Sequence, residues 1–242
     1  MFGGQTSGNA WQAVLVCVGA HLLGSIPTAY LVRRPTMGGD IRQYGTGNVC
    51  GNNLWHAGVR WAIVPVGRFD IAKAALATWL ALGPLNLGCA AAMMVGLCAV
   101  IGYVWCVFLG FTGGRAPQTI LGTLPVVFPA SVLIQLLMMG LGMVLRVRLL
   151  TTIGLLSLSF LSVAFGRTPA ATWGCAAMIA VTAAKRLEAN RAPLPPDGER
   201  SRVLRRRLWL DRDLASHEQS VARRPPEAQP GSNASGTKSE LH

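Results

Sequence analysis

The stretch TILGTLPVVFPASVLIQLLMMGLGMVL, from Thr119 to Leu145, carries no charged side chain. An apolar helix needs about 20 residues to cross the hydrocarbon core of a bilayer, so this run is long for one span. Pro125 and Pro129 punctuate it, and a proline inside a helix removes a backbone donor and clashes with the preceding turn. The run therefore reads either as one crossing or as a short Thr119–Phe128 helix followed by a second span from Ala130. The topology turns on that choice.

Outward from it lie the other apolar runs. Trp11 to Val32 carries no charged side chain and has His21 as its only histidine, and no basic n-region precedes it, so it reads as a retained span rather than a signal peptide. A second run begins near Trp61, is interrupted by Arg68, Asp70 and Lys73, and ends at the Gly83-Pro84 breaker. Gly88 to Phe111 is uncharged, and Leu149 to Phe165 and Thr168 to Ala184 flank Gly166-Arg167. With Arg33, Arg34, Arg42 and Arg60 inside, six crossings would put Arg146, Arg148 and the whole basic tail outside. Seven crossings strand only Arg167, which the positive-inside rule favours. The expected fold is all-α: a polytopic transmembrane helical bundle of about seven spans, amino terminus outside.

Composition agrees with that class. Hydrophobic residues make up 51% of the chain and charged residues 13%, against roughly 25% charged in soluble domains. Asp40 and Asp70 are the only acids before Lys185. Residues 1–184 are read as the transmembrane domain and 185–242 as a basic cytoplasmic tail, rich in Arg, Pro, Ser and Glu and expected to be disordered. The rival reading of the tail is a surface segment drawn to anionic lipid, since Arg205-Arg206-Arg207 precedes Leu208-Trp209-Leu210. The net charge of +12 does not point to nucleic acid, because the bases are not interleaved with aromatics on a soluble face. The six cysteines lie mostly in apolar runs without paired spacing and read as small core hydrophobes, with no metal site or cofactor indicated.

Three places hold residues suited to chemistry. The loop Gly38 to Asn53 contains Arg42 and Gly45-Thr46-Gly47-Asn48, followed by Gly51, Asn53 and His56. Spaced glycines let a backbone close around an anion, with Thr46, Asn48 and Asn53 adding side-chain donors. A plain Gly/Asn turn would look the same by composition. Asp70 and Lys73, three apart on one helix face in an apolar run, are either a functional pair or a structural ion pair. Gly113-Gly114-Arg115 before the next apolar run suits an anion at a helix start. It is not a P-loop, lacking the Lys-Ser or Lys-Thr that follows one.

Gly24-Ser25-Ile26-Pro27, Asp40-Ile41-Arg42, Gly45-Thr46-Gly47-Asn48, Asn53, Asp70, Lys73 and Gly113-Gly114-Arg115 together resemble, in order, the motifs of the bacterial acyl-phosphate:glycerol-3-phosphate acyltransferases. The resemblance covers about Leu22 to Thr119. It implies a seven-span enzyme of the bacterial plasma membrane, for which acyl phosphate and glycerol 3-phosphate are the partners and membrane lipid the setting. Acyl transfer would need no metal, the phosphate of the donor serving as base. Thr46 and Asn48 would be catalytic. Arg42, Gly45, Gly47, Gly51, Asn53, His56, Asp70, Lys73, Tyr103, Gly113, Gly114, Arg115 and Thr119 would bind substrate.

The departures fall at the same loops. His56 stands where the family has arginine, Tyr103 where it has histidine, and Thr112 where it has lysine, while Arg115 keeps lysine's charge but not its shape. The resemblance therefore implies either a divergent acyltransferase or a weak or inactive relative that binds glycerol phosphate or lysophospholipid. A small transporter is the remaining class. It would place helix breaks and polar groups near the bilayer midplane, whereas these motifs lie in short loops on one face.

Overall fold

The computed structural model describes residues 6–145, 150, 153, 154, 157, 169–191, 194, 195 and 197–210. The regular elements among them are all helical: α1 (Thr6–Ser25), α2 (Thr28–Met37), α3 (Gly51–His56), α4 (Ile63–Leu82), α5 (Gly88–Val104), α6 (Pro117–Val127), α7 (Ser131–Val144), α8 (Pro169–Glu188) and α9 (Arg200–Leu210), with single 3-10 turns between some of them.

Proline and glycine place most of the boundaries. The run from Trp11 is divided at Ile26-Pro27, and α2 starts at Thr28, because Pro27 offers no N–H to continue the ladder. α4 ends at the expected breaker, with the Gly83 N–H donating to the Trp79 carbonyl at 2.8 Å. α5 stops at Val104, short of the expected Phe111, and a 3-10 turn over Val107–Leu109 with left-handed Gly110 follows. In the deciding stretch, α6 runs through Pro125 and ends at Val127. Phe128 then leaves the helical region at φ −137° before Pro129, as residues preceding proline do, and α7 begins at Ser131. Most of the expected run from Leu149 to Phe165 lies outside the described residues. α8 does not stop at Ala184: it continues through Lys185 and Arg186, both buried, to Glu188. α9 packs against it, so structure extends past the boundary that composition suggested, and residues 211–242 lie outside the described residues.

α5 is central and touches α1, α4, α6 and α8. Part of the packing is inverted relative to a water-soluble core, while another cluster buries Val100, Ile120, Leu124, Phe128 and Met178. One core cluster is built largely from Ala20, Ala74, Ala77, Ala81, Ala92 and Ala99. Large apolar side chains point outward, among them Trp11, Leu15, Val64, Leu133 and Trp173. Small residues at that helix contact and large ones facing outward suit lipid, where helices associate through close backbone approach rather than hydrophobic exclusion from water. Two helical stretches, Trp11–Met37 and Gly88–Leu109, are long and apolar enough to cross a membrane. Glycines allow close backbone approaches. A Cβ on Gly102 would lie 2.1 Å from the His21 carbonyl oxygen, and one on Gly122 would lie 2.2 Å from that of Ile71.

Gly102→Val is therefore expected to push α1 from α5 and to cost at least about 1–3 kcal/mol, the usual range for overpacking. Thermal unfolding in detergent would read it. Gly19→Val, where no described residue lies within 4 Å of the added Cβ, is the control. Equal melting temperatures for the two variants would contradict the packing described.

Candidate active site

Three segments meet at one end of the bundle: the loop between α2 and α3, the loop between α5 and α6, and the last turn of α8 with the residues just after it. In the first, Asp40 caps a 3-10 turn over Ile41–Gln43 by accepting from the Arg42 N–H at 2.9 Å. The Arg42 guanidinium folds back so that Nε donates to Asp40 Oδ2 at 2.8 Å. Its Nη1 reaches across to the second loop, donating to Thr112 Oγ1 at 2.8 Å and to the Leu109 carbonyl at 3.3 Å. Partial burial of Asp40 works against ionisation, but the Arg42 hydrogen bonds and charge outweigh it and hold the carboxyl below its ordinary range. A depressed carboxyl stabilises the fold above its unfolded pKa and loses that contribution as pH falls through the folded value. The loop should thus stay latched at neutral pH and loosen only below about pH 4.

Asn53, fully buried, organises the glycine-rich loop. Its Nδ2 donates to the carbonyls of Ile41 (3.1 Å), Tyr44 (3.0 Å) and Asn48 (3.0 Å). Its Oδ1 accepts from the Thr46 N–H at 2.9 Å and from the Thr46 hydroxyl at 3.3 Å. Asn53 is thus a clamp on the loop. Thr46 Oγ1 also accepts from Asn48 Nδ2 at 3.2 Å. Gly45 and Gly47 have φ of +51° and +72°, and a Cβ on Gly45 would stand 2.4 Å from Asn53 Oδ1 and 2.8 Å from His56 Cβ. His56, half-buried on α3, therefore backs the loop. Gly51 opens α3 against α4, its added Cβ falling 3.3 Å from the Ile63 carbonyl oxygen.

The second loop lies flat on the end of α5. The Gly114 N–H donates to the Tyr103 carbonyl at 3.2 Å. Side chains are excluded at both glycines, since a Cβ on Gly113 would meet that carbonyl oxygen at 2.2 Å and one on Gly114 the Tyr103 ring at 2.3 Å. Arg115 is half-buried beside them. Thr119, wholly buried in the first turn of α6, spends its hydroxyl on the Ala116 carbonyl at 3.0 Å.

Beneath this loop is the pair on α4. Lys73 Nζ lies 2.9 Å from Asp70 Oδ1 and donates to the Ile26 carbonyl at 2.9 Å. Thr28 Oγ1 donates to the same carboxylate oxygen at 3.0 Å. Lys73 also sits 4.8 Å from the centroid of the Tyr103 ring, while the Tyr103 hydroxyl is buried without a hydrogen bond of normal geometry among the described residues. Asp70, Lys73 and Tyr103 thus join α4, α5 and the break between α1 and α2.

The third segment comes from residues that sequence reasoning assigned to the tail. Asn190, in a left-handed conformation at φ 54°, donates through Nδ2 to the Gly47 carbonyl at 3.2 Å and the Gly113 carbonyl at 3.2 Å. One side chain thereby joins both glycine loops, and its Oδ1 is buried without a partner among the described residues. Next to it, Glu188 Oε2 accepts from Trp105 Nε1 at 2.6 Å and lies 3.3 Å from Lys185 Nζ. The signal available in the sequence was the polar run Lys185-Arg186-Leu187-Glu188-Ala189-Asn190 directly after an apolar helix, with an i, i+3 ion pair.

Fold and site define a helical membrane protein whose glycine-rich, cationic loops gather at one end of its bundle. The chain belongs to the glycerol-3-phosphate acyltransferase family, whose sequence profile matches residues 14–193. Among similar proteins, glycerol-3-phosphate acyltransferase 5 of Dehalococcoides mccartyi is 30% identical over 227 residues, covering 91% of this chain and 97% of its own. Glycerol-3-phosphate acyltransferase 4 from another strain of that species is 34% identical over 205 residues, 81% of this chain and 87% of its own. The crystal structure of PlsY, an integral membrane glycerol 3-phosphate acyltransferase, in its glycerol 3-phosphate form superposes with a TM-score of 0.66 at 26% identity, covering 73% of this chain and 89% of that one.

Proposed function

We propose that this membrane protein transfers an acyl chain from acyl phosphate to the 1-hydroxyl of glycerol 3-phosphate, making lysophosphatidic acid for phospholipid synthesis. The observation that carries the reading is the joining of the Gly45–Asn48 loop to Gly113 through Asn190 in a chain of this family. In the reaction the 1-hydroxyl oxygen attacks the acyl carbonyl carbon, the carbon–oxygen bond to phosphate breaks, and the departing phosphate takes the hydroxyl proton. The chain's part is to position the two substrates and to stabilise anionic oxygen. Thr46 and Asn48 approach the acyl-phosphate phosphoryl group, and binding exchanges their mutual hydrogen bond for bonds to the ligand. Arg42 and Arg115 supply positive charge near glycerol 3-phosphate, with Gly113 and Gly114 letting the backbone come close.

A second reading is favoured by one observation. Thr112, where the family has lysine, is engaged by Arg42 Nη1, and Tyr103 is neutral, so this chain lacks two of the family's cationic or titratable side chains. On that reading it binds glycerol phosphate or lysophospholipid without turnover. Transfer of a labelled acyl group from acyl phosphate, measured in membranes, decides between them, and complementation of a strain lacking its own enzyme is the cellular test. Asn48→Ala and Gly47→Val should each weaken binding of an acyl-phosphate analogue by roughly tenfold or more, a charge-assisted hydrogen bond being worth about 1.5–3 kcal/mol. Unchanged binding in both would remove this loop from the site.

The chain is further proposed to cross the bacterial plasma membrane seven times with its amino terminus outside. The site loops and the basic tail then face the cytoplasm, where the tail meets anionic lipid. Reporter fusions after His242 and near Leu85 should read cytoplasmic and external respectively. An external signal from the tail would overturn the topology.

A further inference from the structure

The matched family region ends at residue 193, and α9 lies beyond it. This helix is clasped to α8 by two reciprocal bonds: Arg186 Nη1 donates to the Leu208 carbonyl at 3.2 Å, and Arg207 Nη1 to the Leu187 carbonyl at 3.1 Å. Both arginines are buried, so guanidinium groups here are structural pegs. The outward face is different. Arg202, Arg205, Arg206 and Trp209 fall at i, i+3, i+4 and i+7, which places them in one stripe, and together they line an open concavity of about 420 Å³. Trp209 is 55% exposed. The one acid paired with the stripe among the described residues is Glu199, 3.9 Å from Arg202 across solvent.

We propose that this stripe is a binding surface for the headgroup phosphates of anionic phospholipid, and that its occupancy steadies the 3-10 turn after α8 that carries Asn190. The chemistry follows from the side chains. Guanidinium forks match phosphate oxygens, and an exposed tryptophan beside them suits the headgroup level of a bilayer. Each arginine held near an anionic surface favours contact by roughly fivefold. The coupling follows from position, because Arg207 grips the Leu187 carbonyl, three residues before Asn190. Lipid bound to α9 therefore holds the segment that ties Gly47 to Gly113. This rests on the reading above that the polar end of the bundle lies at the cytoplasmic membrane surface.

The test uses the full chain in nanodiscs of phosphatidylcholine alone and of phosphatidylcholine with about a third phosphatidylglycerol. Hydrogen–deuterium exchange of peptides covering 185–191 and 197–210 is followed beside the KM for glycerol 3-phosphate. Several-fold slower exchange in both peptides and a lower KM are expected in the anionic discs. Both should be lost in the R202Q/R205Q/R206Q variant and in high salt. Equal exchange in the two disc types, or an undiminished lipid effect in the variant, would overturn the proposal. Protection of 197–210 by glycerol 3-phosphate in neutral discs would do so as well, pointing to free phosphate. Slower exchange confined to 197–210 with KM unmoved would overturn the coupling. If the chain transfers no acyl group in either disc, the acyltransferase reading fails, while the exchange comparison still decides the lipid surface.

Discussion

Lys73→Met is expected to destabilise the bundle by about 3–5 kcal/mol, the usual cost of removing one partner from a buried ion pair. The reason is local. Lys73 and Asp70 have side chains only 1% exposed, and without the ammonium the carboxylate keeps only Thr28 as its donor, while the Ile26 carbonyl loses the Lys73 bond and keeps the Thr28 N–H at 3.0 Å. Such a loss is a large share of a typical total stability of about 5–15 kcal/mol. The double substitution Asp70→Asn with Lys73→Met should cost much less than the two single changes added together, because it leaves no lone buried charge. Melting in detergent reads the stability and a glycerol 3-phosphate titration reads the site. A Lys73→Met protein with its melting point intact and binding abolished would make Lys73 a substrate ligand instead of a tie between helices.

Asn53→Leu is expected to lower acyl transfer at least about a hundredfold, equivalent to roughly 2.7 kcal/mol. Leucine is close in volume, so packing survives, but the Asn48 carbonyl and the Thr46 N–H lose the partner that Asn53 gives them, and the Ile41 and Tyr44 carbonyls keep only their turn bonds from the Tyr44 and Gly47 N–H groups. Each buried polar group left unpaired costs about 1–3 kcal/mol, and the loop can avoid that cost only by opening to water and abandoning its shape. Asn53→Asp keeps the acceptor and loses the donors, and should fall between wild type and leucine. If Asn53→Leu folds and turns over normally, the cradle is not organised as described.

Much of this was legible along the chain because it depends on neighbours in sequence. Apolar runs bounded by Gly83-Pro84 and Pro129, bases crowded beyond Ala184, and spaced glycines between Gly45 and Gly51 each act through local backbone chemistry or through transfer into lipid. Helical class, membrane placement and the first loop follow from them. The roles of particular residues did not. Asn53 reads as a side-chain donor in the sequence, and only the structure shows that its amide clamps the loop between Ile41 and Asn48. Thr112 looks like a missing cation and is an acceptor for Arg42.

The tail shows the limit most clearly. A window of Lys, Arg and Glu is too polar to bury alone, so composition assigns it to solvent. Lys185 and Arg186 are nevertheless buried, because Glu188, Trp105 and the Leu208 carbonyl, contributed by segments up to 83 positions away, supply partners for the polar groups of that turn. What the sequence determined by itself is what each segment does against lipid or water. What tertiary structure alone decided is which polar groups pair, since a buried donor is stable only beside an acceptor that folding brings from elsewhere, and Asn190 enters the site by that rule.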